Sequence, residues 1–172
     1  KYYFASPLSL IDFRKLPPMP NWLIGKDGNF REPSDSGIYE IPVAAIPKTP
    51  FEIPTRFKLK RFAHRAPESH GSMIHEGNHR SRMQQLRMLF SSRMLTFDNH
   101  TLSAKYLMRM LEYNVKKFSH YETLNLAACS HPKTMGDYSF SLMEQFIDMA
   151  RSRYPGIEFT TFEQLHKLNP TY

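Results

Sequence analysis

The order of patterns from residue 102 onward narrows the fold of this chain more than any other feature. Between about Leu102 and Phe118 apolar side chains recur at helical spacing, at Leu107, Met110, Leu111, Val115 and Phe118. The stretch Thr123 to Cys129 is short, mostly apolar and free of Gly and Pro, the pattern of a strand buried on both faces of a parallel sheet. A second helix is expected from about residue 139, with Ser141 and Glu144 at capping-box spacing and Leu142, Met143, Phe146, Ile147 and Ala150 on its buried side. Tyr154-Pro155-Gly156 ends it, since Pro and Gly break a helix. Ile157 to Thr160 reads as a last short strand, and Thr161 with Gln164 forms a second capping box that opens a brief terminal helix. The order α, β, α, β, α implies crossovers on a parallel sheet and hence an α/β fold. Leu107, Leu111, Leu124, Leu126, Phe146, Ile147 and Phe159 are expected to share one core.

His131 stands where the 123–129 strand should end, because Ser130-His131-Pro132 breaks the apolar run. A titratable side chain at the C-terminal end of a strand in a β/α unit occupies the position where such sheets place their chemistry. His131 is therefore a functional candidate. The alternative is a histidine that merely caps a loop by hydrogen bonds. Cys129, the single cysteine, excludes an intrachain disulfide and is expected to be a packed side chain of the strand.

The N-terminal half is less periodic. Residues 1–36 hold Pro7, Pro17, Pro18, Pro20 and Pro33 and read as an irregular or extended, proline-rich opening, with turns at residues 17–20 and 26–29. Gly37 to Val43 is strand-like, although Pro42 requires an edge or bulge. Phe57 to Phe62 alternates as a strand or extended arm, residues 63–80 form a loop with four histidines, and Met83, Leu86, Leu89 and Phe90 suggest a helix from about Arg80 to Arg93.

At 172 residues, 41% hydrophobic and 13% aromatic, the chain suits one globular domain with a real core. It contains no apolar run long enough for a membrane span. The net charge of +7 resides between Arg56 and Arg93, where nine Lys or Arg face only Glu68 and Glu76. Such a segment could bind an anionic sugar polymer, a nucleic acid or a phospholipid surface, or simply be a solvated face. No nucleic-acid-binding signature accompanies it, so nucleic acid is the less favoured partner. The sequence opens at Lys1 without a methionine, and no cell compartment is read from that end.

Three pieces together resemble the C-terminal half of the polysaccharide deacetylase family, the NodB-like carbohydrate esterases. They are the strand Gly37 to Val43 with its Glu40-Ile41-Pro42 core, the block Ala127 to Thr134 around Ser130-His131-Pro132, and the tail from Phe146 through Ile157 to Leu165. Coverage is about residues 30–167. Two further stretches, Arg31-Glu32-Pro33-Ser34 and Leu95-Thr96-Phe97-Asp98-Asn99, resemble the family's arginine and aspartate motifs. The resemblance implies the C-terminal part of a distorted (β/α) barrel, a TIM-like barrel that removes N-acetyl groups from amino-sugar polymers or oligosaccharides.

In that family a divalent metal, zinc or similar, polarises the amide and lowers the pKa of a bound water, and the histidine of the last motif protonates the leaving amine. By position that role falls on His131. The family's metal ligands precede the Glu-Ile-Pro strand, whereas none of the 36 residues before Gly37 is a histidine. The ligands are thus expected in an N-terminal segment outside this chain, which alone would be inactive. An alternative ligand set within it is His75, His79 and Asp98, since His75 and His79 have H-x-x-x-H spacing. The rival functions are a noncatalytic glycan-binding member of the same fold and an anionic-polymer or nucleic-acid binding module.

Overall fold

The computed structural model describes residues 17–47, 92–98, 101–132 and 135–168. Four short strands, β1 (Trp22–Ile24), β2 (Ile38–Glu40), β3 (Ala45–Pro47) and β4 (Ser92–Met94), precede three helices, α1 (Ala104–Lys117), α2 (Asp137–Arg153) and α3 (Phe162–Leu168). β1 pairs antiparallel with β2, Trp22 opposite Glu40, and β3 pairs antiparallel with β4, Ala45 opposite Met94. No closed barrel is traced among the described residues.

Sequence accounts for the helices closely. Ser103 caps α1 by accepting the Tyr106 N–H at 3.2 Å, and Lys116 and Lys117 lie in the last turn, where cations suit the helix dipole. Asn114 is buried inside α1 and donates to the Met110 and Ala45 carbonyls at 2.8 and 3.2 Å, tying the helix to β3. The α2 helix begins at Asp137, earlier than its sequence suggests. Its N-cap is Gly136, with no side-chain hydrogen bond, and Ser141 lies inside the helix accepting from Gln145 at 3.1 Å. Gly136 takes the capping position because its carbonyl already accepts the N–H groups of Ser139 and Phe140. At α3 the capping box forms as expected, Thr161 accepting the Gln164 N–H at 3.3 Å and Gln164 accepting the Thr161 N–H at 3.2 Å.

The core lies between α1, α2 and the strands. Leu107, Met110 and Ala150 are fully buried, together with Leu111, Leu142 and Phe146, and Ala44, Ile46 and Leu95 close it from the strand side. Of the expected core, Leu126 and Ile147 pack against this cluster while only half-buried. Leu124 is half-buried as well, and Phe159 is exposed although its ring stands edge-on to Phe146 at 6.4 Å.

The 123–129 segment differs most from its sequence reading. It makes one parallel bridge, Ala127 to Val43, reinforced by the Ala44 N–H donating to the Ala127 carbonyl at 2.8 Å. Asn125 also donates to the Tyr39 hydroxyl at 2.9 Å. A segment bridged at so few points is not covered on both faces, so residues 124–127 are half-buried and Cys129 is exposed rather than packed. Ile157 to Thr160 likewise pairs with no strand among the described residues. Ser92 and Arg93, placed by periodicity at the end of a helix, lie in β4 opposite Pro47 and Ile46. The rest of that expected helix, the 57–62 strand and the 63–80 loop fall outside the described residues.

Residues 17–36, the described part of the proline-rich opening, are more ordered than their composition suggests, and residues 1–16 lie outside the described residues. From Pro17 onward the opening contains β1, and a turn closed by the Gly28 N–H donating to the Gly25 carbonyl at 2.9 Å leads away from that strand. Gly37 enters β2 with φ of 141°, and a Cβ there would overlap the Ile24 carbonyl. Gly37→Ala is therefore expected to cost roughly 1–3 kcal/mol from backbone strain alone, read as a lowered midpoint in chemical denaturation. An unchanged midpoint would show that the β1–β2 pairing is not made as described.

Candidate functional site

His131 and Asp98 meet where two chain segments leave the core. Leu95, Phe97 and Asp98 lie beside Cys129, Ser130 and His131 and are joined to them in step. The Cys129 N–H donates to the Leu95 carbonyl at 3.1 Å, the Phe97 N–H to the Ser130 hydroxyl at 2.8 Å, and the His131 N–H to Asp98 Oδ1 at 2.8 Å. The remaining carboxylate oxygen, Oδ2, lies 3.1 Å from His131 Nδ1.

Several local features hold Asp98 in place. The Thr101 N–H donates to the Asp98 carbonyl at 2.9 Å, and the Thr101 hydroxyl donates to the Thr96 carbonyl at 2.7 Å, so the backbone around the aspartate is pinned from both sides. The Tyr138 hydroxyl, near the start of α2, bonds the carbonyls of Thr101 and Leu102 at 3.0 and 3.1 Å. Phe97 leans on Phe146 of α2, ring centroids 5.6 Å apart, which couples the site to the core.

The pair is asymmetric. The Asp98 side chain is 2% exposed and that of His131 38%. An ionised carboxylate only accepts, so with Asp98 ionised the hydrogen of the 3.1 Å contact resides on Nδ1. Nε2 lies on the other side of the ring from this contact. This is the arrangement of a proton-transfer histidine whose tautomer and orientation are set by a buried acid.

The structure thus brings His131 and Asp98 together, but in a pairing that sequence alone did not suggest. Asp98 entered as an alternative metal ligand with His75 and His79, which lie outside the described residues. Each of its carboxylate oxygens takes a contact from His131. Among the described residues no group of three or more His, Cys, Asp or Glu is placed to hold a metal. The sequence signal that could have found the pair is the match between two polar strand exits, Thr96-Phe97-Asp98 after Leu95 and Ser130-His131 after Ala128-Cys129.

Of the basic 56–93 segment only Ser92 and Arg93 are described, the Arg93 guanidinium lying over the Tyr106 ring at 5.6 Å. An open groove between α1 and α2, lined by Met108, Glu112, Asp148, Met149, Ser152 and Arg153, contains neither member of the pair. No helix among the described residues is long and apolar enough to cross a membrane. Comparison of the chain with protein-family models, with curated proteins and with solved structures returns no match.

Proposed function

We propose that this chain carries the proton-donating part of a polysaccharide deacetylase-like hydrolase acting on N-acetylated amino sugars, as the C-terminal portion of a distorted (β/α) barrel. The observation that carries the reading is the 3.1 Å contact between His131 Nδ1 and the buried Asp98 carboxylate, in a ring that is partly exposed. Amide hydrolysis needs a proton for the departing nitrogen. As the C–N bond breaks, the nitrogen takes the bond's electron pair and accepts the proton from His131 Nε2, leaving as a neutral amine. Asp98 holds Nδ1–H throughout, so that Nε2 is the atom that meets the substrate. The family resemblance adds a divalent ion for water activation, with ligands outside the described residues. The steps assigned to this chain are those of His131 and Asp98 alone.

The test is amine release from an N-acetylglucosamine oligomer, with zinc supplied, by the protein together with any sequence that flanks these 172 residues in its gene. His131→Ala is expected to lower the rate roughly 100-fold or more, the loss typical of a missing general acid. An unchanged rate would remove His131 from the chemistry. Oligosaccharide binding with no release in the unaltered protein would favour the noncatalytic glycan-binding alternative.

A further inference from the structure

We infer that Ser130 is a positioning residue for the His131–Asp98 pair, its hydroxyl clasping the Phe97 N–H so that the carboxylate is held in register beneath the imidazole. The inference rests on the proposed role of that pair and adds to it a residue with no place in the proton transfer itself.

The argument comes from two crossed hydrogen bonds. The N–H of the residue before Asp98 donates to the side chain of the residue before His131, Phe97 to Ser130 at 2.8 Å. The N–H of His131 donates to the side chain of Asp98, also at 2.8 Å. Each segment is therefore gripped by a side chain of the other, and neither bond belongs to a β-ladder. The grip matters because it is made by the residues next to the pair itself. Upstream the segment carrying His131 is held at Asn125, at Ala127 and at the Cys129 N–H, and the intervening Ala128 and Cys129 are exposed. An ångström of slip between the segments would break the 3.1 Å Nδ1 contact while leaving the core between α1 and α2 untouched.

The hydroxyl oxygen is the acceptor, so any residue that lacks one at position 130 leaves the Phe97 N–H without its bond. Ser130→Ala removes the acceptor with little change in volume. Ser130→Thr retains it.

The experiment uses the 172-residue chain and two readouts by nuclear magnetic resonance. In the unaltered protein the Phe97 amide should exchange slowly with solvent, and the His131 ring nitrogens should show the hydrogen fixed on Nδ1. Ser130→Ala should speed Phe97 exchange about tenfold, the factor corresponding to one ordinary hydrogen bond. It should also blur the His131 ring signature toward an average of the two tautomers, with the thermal midpoint of the chain little changed. Ser130→Thr should restore both. Three results would overturn the inference: an unprotected Phe97 amide in the unaltered protein, a His131 signature unmoved by Ser130→Ala, or a signature lost equally in Ser130→Thr. If Ser130→Ala fails to fold, the protection of Phe97 in the unaltered chain and the signature in Ser130→Thr still decide the question. A His131 ring lacking Nδ1–H in the unaltered protein would instead reject the proposed pair, and is thereby distinguished from a failure of Ser130.

Discussion

Asp98→Asn is expected to lower amine release roughly 100-fold or more while leaving the chain folded. Asparagine has the shape of aspartate but presents one acceptor and one donor group. The His131 backbone N–H, 2.8 Å from Oδ1, retains the amide oxygen, which turns the NH2 group toward Nδ1. Two donors cannot share that contact, so Nδ1 must give up its hydrogen and Nε2 must hold it in the neutral ring. The doubly protonated ring that donates from Nε2 is then disfavoured, because its Nδ1–H would face the amide NH2, and the neutral ring left in its place is a very weak acid. Because Asp98 is nearly fully buried, the mismatch also costs stability, about 1–3 kcal/mol. Amine release and a denaturation curve measured on the same preparation separate the two effects. A rate that falls only in proportion to the folded fraction would contradict the role given to Asp98.

The largest stability effect is expected at Leu107. It is fully buried in α1 and belongs to the cluster that includes Leu142, Phe146 and Ala150 of α2 and Ala44 and Leu95 from the strand side. Truncation to alanine removes the apolar contacts and leaves a cavity that two packed helices cannot fully close. Leu107→Ala should therefore cost about 2–5 kcal/mol in denaturant unfolding. Leu126 is half-buried beside the same cluster, and Leu126→Ala should cost less, since solvent already reaches part of its side chain. Equal losses at the two positions would place residues 124–127 deeper in the core than described. A negligible loss at Leu107 would mean that α1 does not pack on α2.

The helices were legible because their information is local. Amphipathic spacing marked Leu107, Met110, Leu111, Leu142, Phe146 and Ala150, and the Thr161–Gln164 box formed where its spacing required it. The start of α2 was misplaced for a local reason too. Ser141-x-x-Glu144 has capping-box spacing, but Gly136 had already begun the helix and left Ser141 inside it. Strands were less legible, because an apolar run reports hydrophobicity and not the number of neighbours. Thr123 to Cys129 has the composition of a central strand, yet a single bridge to Val43 leaves Cys129 in solvent.

The site was half legible. His131 stood out by its place after an apolar run. Its partner lies 33 residues earlier, and sequence spacing carries no record of which strand exits meet in space. Asp98 was noticed for its carboxylate and its neighbouring motif but was placed with His75 and His79. Burial and the two donors from His131 give it its part in the proposal. Ser130, at the centre of the crossed hydrogen bonds, looked from sequence like no more than a strand breaker.

The most direct measurement of the central claim is the ring-nitrogen spectrum of His131 in the 172-residue chain, recorded at a pH where the ring is neutral and repeated with Asp98→Asn. The account predicts a single tautomer with the hydrogen on Nδ1 in the unaltered protein, reversed to Nε2 in Asp98→Asn. A hydrogen on Nε2 in the unaltered protein, or a signature that the substitution does not change, would contradict it.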